Sequence, residues 1–139
     1  MYTIRQPNKI IFGINSVREF LFEKNCLVIT SSGAKSRGWL DYLSIQDYQI
    51  FDSVEPNPSM DTVEKILSEY NQTFSYVIGL GGGSSLDVAK FVANKLKTKK
   101  ILIPTTFGSG SEVTRISVLQ IDGKKTSFHS DDLLADISI

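Results

Sequence analysis

Three consecutive glycines stand where a predicted strand changes into a predicted helix. The strand covers Tyr76–Leu80, the glycines are Gly81–Gly83, and a helical pattern follows at once. Glycine has no side chain, so the backbone can adopt positive φ and come close to a ligand. The start of a helix offers unpaired N–H groups and the positive end of its dipole, which favour an anion. Gly82, Gly83 and Ser84 are therefore predicted to bind a diphosphate; the alternative is a tight turn without a ligand.

The spacing of these glycines excludes two common phosphate-binding motifs. A P-loop would need a Lys-Ser/Thr pair at a fixed distance, and that spacing is wrong here. The Gly-x-Gly-x-x-Gly pattern of dinucleotide-binding folds would follow the first strand of the unit, around Thr30–Gly38, and it is absent there. The glycines alone are weak evidence for function.

A second polar segment, Pro104–Thr114, comes directly after another predicted strand. It contains five hydroxyl side chains and two glycines in eleven positions. Open α/β folds bind ligands in loops at the carboxyl end of the sheet. This segment is therefore a second candidate for ligand binding; the alternative is a flexible surface loop, which Pro104 and the preceding strand disfavour.

The elements that must position both segments alternate between strands and helices, which predicts a parallel sheet covered on both faces. Strands are predicted at Cys26–Thr30, Tyr48–Phe51, Tyr76–Leu80 and Ile101–Ile103. Helices are predicted at about 35–43, after a cap at Ser59 or Asp61, and after the glycines.

Two hairpins complete the prediction. Tyr2–Ile4 and Lys9–Phe12 flank a Gln-Pro-Asn turn near the N-terminus, and Ile116–Ile121 precedes an Asp-Gly turn signal and a return strand at 125–128. The last residues, 133–139, form an apolar run typical of a strand, which suggests that the sequence stops inside an element.

Bulk composition narrows the class of protein. The 139 residues suffice for one domain, with 41% hydrophobic and 22% charged residues. Fifteen basic residues balance fifteen acidic ones, which gives no reason to expect a nucleic acid or membrane partner. No signal peptide or membrane-spanning run is visible. The single cysteine, Cys26, is predicted to be buried and fits a reducing, cytoplasmic compartment. With one histidine, His129, no metal site is predicted.

The two polar segments together resemble the signature pair of the iron-containing (group III) alcohol dehydrogenase family, which is related to glycerol dehydrogenase and dehydroquinate synthase. Gly81–Lys90 is similar to the family's Gly-Gly-Gly-Ser-x-x-Asp-x-Ala-Lys. Pro104–Thr114 is similar to Pro-Thr-Thr-Ala-Gly-Thr-Gly-Ser-Glu-Val-Thr, with differences at Phe107 and Ser109. The resemblance implies a Rossmann-like parallel sheet flanked by helices, with an N-terminal β-hairpin, that binds NAD(P) over residues 1–139.

The resemblance also implies a cofactor-binding role for particular residues. Gly82, Gly83 and Ser84 hold the diphosphate, in agreement with their physical chemistry. Asp87 lies near the nicotinamide or substrate end. The remaining family matches are Asn57 at the cofactor, Thr105, Thr106 and Ser109 along the adenosine side, Lys125 at the ribose near nicotinamide, and Leu134 as a backbone contact. Without the resemblance, Lys125 is better interpreted as a solvated charge in a hairpin.

The choice between NAD and NADP depends on the end of the first strand of this unit. NAD-preferring members usually carry an Asp there, which accepts hydrogen bonds from the ribose 2′-OH. This sequence has Ser31 and Ser32, followed by Lys35 and Arg37. Hydroxyl groups beside basic side chains favour a 2′-phosphate, whereas a carboxylate repels it. The sequence therefore favours NADP over NAD.

The resemblance places the metal ligands of the family, for Fe²⁺ or Zn²⁺, in a following helical domain that this sequence lacks. The chain is accordingly predicted to be a cofactor-binding fragment of a two-domain, metal-dependent alcohol dehydrogenase or aldehyde reductase that acts on a small alcohol or aldehyde. No residue is predicted to be catalytic, and the fragment alone is predicted to be inactive. A homodimer is compatible with an open sheet edge. The alternatives are a stand-alone nucleotide-binding module and a glycerol dehydrogenase- or dehydroquinate synthase-like relative.

Overall fold

The computed structural model describes all 139 residues as a six-stranded parallel sheet with helices on both faces and a separate two-stranded hairpin. The strands are β1 (Lys9–Ile10), β2 (Cys26–Ile29), β3 (Tyr48–Phe51), β4 (Tyr76–Gly81), β5 (Lys99–Pro104), β6 (Ile116–Ile121), β7 (Lys124–His129) and β8 (Ile137–Ser138). The helices are α1 (Ser16–Glu19), α2 (Ser32–Ser36), α3 (Met60–Glu69) and α4 (Gly83–Leu96), with 3-10 turns at Trp39–Tyr42, Ser111–Val113 and Asp131–Leu133.

The sheet has the strand order β1-β8-β5-β4-β2-β3, and every pair in it is parallel. The central strands β2 and β4 are continuous buried runs because both faces of the sheet are covered there. Leu27 and Ile29 face the core layer that contains α3 and α4. Cys26 and Val28 alternate to the opposite face, where residues of α1 and the 3-10 turn at Trp39–Tyr42 pack. The parallel sheet predicted from the sequence is thus confirmed, as is the burial of Cys26.

Local sequence explains where the helices begin and end. Ser59 caps α3 by accepting a hydrogen bond from the N–H of Thr62, which confirms one of the two predicted caps. The helix predicted at about 35–43 is divided instead. Gly38 adopts φ 76, which ends the helical run after α2 and separates it from the 3-10 turn.

The two predicted hairpins have different outcomes. β6 and β7 form an antiparallel pair around Asp122 and Gly123, both with positive φ, as the Asp-Gly signal predicts. The N-terminal hairpin is not formed, because Lys9–Ile10 pairs in parallel with Ile137–Ser138 and Tyr2–Ile4 is not a strand. The N–H groups of Lys9 and Ile11 donate to carbonyls of the terminal segment. β8 also pairs with β5, so β1 adds to a sheet that is already anchored in the core.

The helices of this fold are short. None combines the length and the apolar character needed to cross a membrane.

Candidate functional site

The candidate site lies at the carboxyl edge of the sheet, where β4 passes into α4. Gly81 has φ 143, a conformation that side-chain-bearing residues rarely adopt, and α4 begins two residues later at Gly83. Gly82 is the cap residue and supplies no capping side chain. The N–H groups of the first helical turn are therefore left available to a ligand.

The second polar segment folds directly onto this helix start. The N–H of Thr105 donates to the carbonyl of Gly81 at 3.0 Å. A methyl group at Gly83 would lie only 2.9 Å from Oγ of Ser109, and one at Gly82 would lie 3.3 Å from Oγ1 of Thr106. The two predicted motifs thus meet, and side chains at these glycines would fill the space between them. We call this arrangement the glycine cradle: Gly82, Gly83, Thr106 and Ser109.

A small cavity of about 170 Å³ lies beside the first turn of α4, at the residue after Gly83. Ser84 and Asp87 line it from α4, and Asn57 lines it from the loop before α3. Asn57 adopts φ 52, a left-handed conformation that asparagine tolerates well. Lys125 completes the cavity from β7, so the hairpin carries one predicted site residue to the others.

A larger cavity of about 510 Å³ lies on the other side of the Thr105–Gly110 loop. Leu80 and Ile103, at the ends of β4 and β5, form its floor, and Trp39 and Tyr42 form a wall. The ring centroids of this aromatic pair lie 5.9 Å apart, and neither residue is among the predicted site residues. The sequence signal for this part of the cavity is a pair of aromatic residues three positions apart, soon after the first buried strand.

The residues predicted to select the cofactor lie at the end of β2, beside β4. Ser31 caps α2 by accepting a hydrogen bond from the N–H of Ala34 at 3.2 Å. Lys35 pairs with Asp52 through an Nζ–Oδ2 distance of 2.5 Å. Hydrogen bonding in this pair raises the pKa of Lys35 and lowers the pKa of Asp52. Asp52 therefore neutralises one of the two basic side chains that the sequence offered to a 2′-phosphate.

Asp87 is hydrogen-bonded within the protein through both carboxylate oxygens. Oδ1 accepts from the hydroxyl of Ser111 at 2.6 Å, and Oδ2 accepts from the N–H of Val118 at 3.0 Å. The ammonium group of Lys90 lies 3.1 Å from Oδ1. Asp87 borders the small cavity, and its carboxylate accepts three hydrogen bonds from within the protein.

The structure does not bring Leu134 to the other predicted site residues. Leu134 precedes β8 and lines a cavity together with Lys97 and Lys99, at the amino end of β5. Because all strands of the sheet are parallel, that end is opposite to the glycine cradle. The position of Leu134 in the chain gave no information on which end of the sheet it would occupy.

A metal site does not form among these residues. No group of three or more His, Cys, Asp or Glu side chains is placed to hold a metal ion. The protein has one histidine, and its one cysteine, Cys26, is buried below the sheet surface. The residues present therefore do not fit a catalytic Fe²⁺ or Zn²⁺, which usually requires three protein ligands.

A parallel sheet flanked by helices, with a glycine-rich turn between β4 and α4, defines a Rossmann-like α/β domain. The sequence pattern of one family, iron-containing alcohol dehydrogenase, matches residues 7–139. The chain belongs to this iron-containing alcohol dehydrogenase family.

Individual relatives agree with this assignment. The chain is 36% identical over 144 residues to long-chain-alcohol dehydrogenase 1 of Geobacillus thermodenitrificans, covering 84% of this chain and 36% of the relative. The crystal structure of an iron-containing alcohol dehydrogenase from Thermotoga maritima superposes with a TM-score of 0.84 at 33% identity, over 99% of this chain and 47% of that one. Sulfoacetaldehyde reductase from Bifidobacterium kashiwanohense, solved with NAD⁺, gives 0.79 at 25% identity, over 99% and 45%. The chain thus spans less than half the length of these relatives.

Proposed function

We propose that this chain is the NAD(P)-binding domain of a metal-dependent alcohol dehydrogenase or aldehyde reductase. The observation that carries the proposal is the glycine cradle, where a side chain at Gly83 would collide with Ser109. Glycine at this position leaves room for an anionic group to reach the N–H groups of α4. The NAD⁺ complex of the related sulfoacetaldehyde reductase supports a nicotinamide dinucleotide as that ligand.

Each part of the dinucleotide is assigned to a part of the site. Gly82, Gly83 and Ser84 bind the diphosphate through backbone N–H groups and one hydroxyl. Thr105, Thr106 and Ser109 line the adenosine side, where the larger apolar cavity offers room for a flat aromatic base. Asn57 and Lys125, which share the small cavity with Ser84, bind the ribose next to nicotinamide.

We further propose that NADP is preferred over NAD. Ser31 and Ser32 stand at the end of β2, where a carboxylate would repel a 2′-phosphate. Since Asp52 already pairs with Lys35, the preference depends on these hydroxyls and on Arg37 rather than on Lys35. The expected preference for NADP is therefore modest.

The dinucleotide supplies hydride transfer when it is bound, and the residues of this chain bind and orient it. The substrate pocket and the metal ligands of the intact protein are expected outside these residues, since the chain offers no fitting metal site. We therefore expect no dehydrogenase turnover by this chain alone. Metal-dependent oxidation of an alcohol by the purified chain would contradict this part of the proposal.

Two further features accompany this function. Cys26 is buried and unpaired, which fits the reducing environment of the cytoplasm.

β1 is an edge strand, and nearby Phe12 is 89% exposed, which supports a homodimer formed along this edge. Sedimentation velocity of the wild-type chain and of Phe12→Ser tests this interface: the variant should shift toward the monomer.

Isothermal titration of the purified chain with NADPH and with NADH tests the proposed function directly. We expect saturable one-to-one binding of both, with NADPH the tighter ligand. Thr114→Ala changes the same polar segment outside the cradle and is the control variant. It should bind both dinucleotides like the wild type. Absence of binding by either dinucleotide at millimolar concentration would refute the proposal.

A further inference from the structure

A buried lysine on α4, outside the glycine cradle, joins the helix to the segment that follows β5. Lys90 is fully buried, and its ammonium group donates to the carbonyl of Ser111 at 3.0 Å and to the carbonyl of Ile116. The carboxylate of Asp87 lies 3.1 Å from the same ammonium. Three acceptors thus surround a group that has three N–H donors, so the charge is fully hydrogen-bonded despite its burial.

Asp87 adds hydrogen bonds from α4 to two other segments, the 3-10 turn at 111–113 and β6. Its Oδ1 accepts from the hydroxyl of Ser111, and its Oδ2 accepts from the N–H of Val118 at the middle of β6. Its backbone carbonyl accepts from the buried hydroxyl of Ser117 at 2.7 Å. A single turn of α4 therefore fixes both the 3-10 turn at 111–113 and the hairpin that carries Lys125.

One further hydrogen bond joins this network of Asp87, Lys90 and Ser111 to the cradle. The N–H of Ser111 donates to Oγ of Ser109 at 3.3 Å, and Ser109 is the side chain that lies against Gly83. On the other side, Val118 lines the small cavity together with Ser84 and Lys125. The positions of the predicted adenosine-side and nicotinamide-side residues thus both depend on Asp87 and its buried partner Lys90.

We propose that Asp87 and Lys90 are positioning residues, which hold the Thr105–Ser111 segment and the β6–β7 hairpin against α4 and do not contact the dinucleotide. This inference rests on the proposed function, because it concerns how the same site is held in shape. It changes the predicted role of Asp87, which still borders the small cavity, from a cofactor contact to a support for the residues around that cavity. It also gives an indirect role in cofactor binding to Lys90, which is not among the predicted site residues.

The test compares pairs of ligands, and the members of each pair differ only in whether they carry the nicotinamide. NADPH is titrated beside 2′-phospho-ADP-ribose, and NADH beside ADP-ribose, against Asp87→Asn, Lys90→Met and the milder Ser111→Ala. A positioning role predicts that each variant weakens both members of a pair by the same factor, about tenfold for the two charge variants. Lys95→Met is the matched control, an exposed lysine on the same helix, and should bind like the wild type.

Amide hydrogen exchange supplies a measurement that does not depend on the ligand. Residues 105–118 should exchange faster in the Asp87, Lys90 and Ser111 variants, with β2 and β4 unchanged, which also shows that the variants are folded. If the variants weaken NADPH but not 2′-phospho-ADP-ribose, Asp87 contacts the nicotinamide end and the inference is wrong. Unchanged affinity and exchange would also overturn it. A wild-type chain that binds none of the four ligands refutes the proposed function itself.

Discussion

A methyl group added at one of two nearby glycines, Gly79 in β4 or Gly83 at the start of α4, should affect either stability or cofactor binding. Gly79 and Gly83 both have φ values that alanine accepts, so backbone strain does not distinguish them. A methyl group at Gly79 would lie 2.7 Å from Cβ of Ala89 and 2.9 Å from Cδ2 of Leu102, between β4 and α4 in the core. A methyl group at Gly83 meets Ser109 alone, at the rim of the cradle.

The expected magnitudes differ accordingly. Overpacking a core costs about 1–3 kcal/mol, and the better strand propensity of alanine returns about 0.5–1 kcal/mol. The contacts of 2.7 Å and 2.9 Å place the cost at Gly79 in the upper part of this range, so Gly79→Ala should lower the free energy of unfolding by about 1–2 kcal/mol. Gly83→Ala gains up to about 1 kcal/mol of helix propensity, which offsets the displacement of Ser109. Its affinity for NADPH should fall about tenfold or more, since a hydrogen bond to a charged group contributes about 1.5–3 kcal/mol.

Urea denaturation and calorimetric titration of the two variants measure these effects. With an m-value of about 2 kcal/mol/M, the midpoint of Gly79→Ala should fall by about 0.5–1 M at constant m. The midpoint of Gly83→Ala should stay near that of the wild type while binding of NADPH weakens. If Gly83→Ala binds NADPH as tightly as the wild type, the cradle is not where the diphosphate lies. A midpoint unchanged in Gly79→Ala would contradict the close packing of β4 on α4.

Three further predictions follow from single residues. Ser31→Asp should shift the ratio of NADH to NADPH affinity at least several-fold toward NADH, because a carboxylate repels the 2′-phosphate; an unchanged ratio in calorimetry argues against this position. Burial raises the pKa of the Cys26 thiol to about 11, so iodoacetamide at pH 8 should label it only after unfolding, which mass spectrometry can follow. Burial opposes ionisation of Glu55, but hydrogen bonds from Thr62 and from the N–H of Ser59 outweigh it and lower its pKa. This contribution to stability is present above the unfolded-state pKa and is lost as pH falls through the lower folded-state pKa, so Glu55→Gln should flatten that part of the acid unfolding curve.

Local signals in the sequence were sufficient for much of the fold. The glycine-rich turn, the cap at Ser59 and the Asp122-Gly123 hairpin are each set by neighbours within a few residues, and the structure has them where the pattern predicts. The pairing of β1 could not be obtained in this way. Its partner, β8, lies far away in the chain, and short β-prone runs do not specify which strand they will pair with.

In the candidate site, too, some features could be predicted from local sequence and others depend on distant residues. Its glycines and hydroxyls were visible as a motif, and their meeting follows from the parallel β4–α4–β5 unit, which brings two strand ends to one edge. The partners of Asp87 and the placement of Leu134 depend on tertiary packing, which residue types and spacing do not encode one by one. Lys90 was hidden for a related reason, because a lysine in a helical pattern is ordinarily exposed.

The hydrogen bonds of Asp87 and Lys90 matter because they are made entirely within the protein. No buried side-chain nitrogen or oxygen in the structure lacks a hydrogen-bond partner, so the polar network around α4 is satisfied within the protein. The first turn of α4, by contrast, has no side-chain cap. Folding therefore fixes the walls of the cradle and leaves the N–H groups of the first turn of α4 without a side-chain partner. Under the proposed function, a dinucleotide that binds these N–H groups does not have to order the site, so the entropy cost of binding is smaller and the affinity is higher.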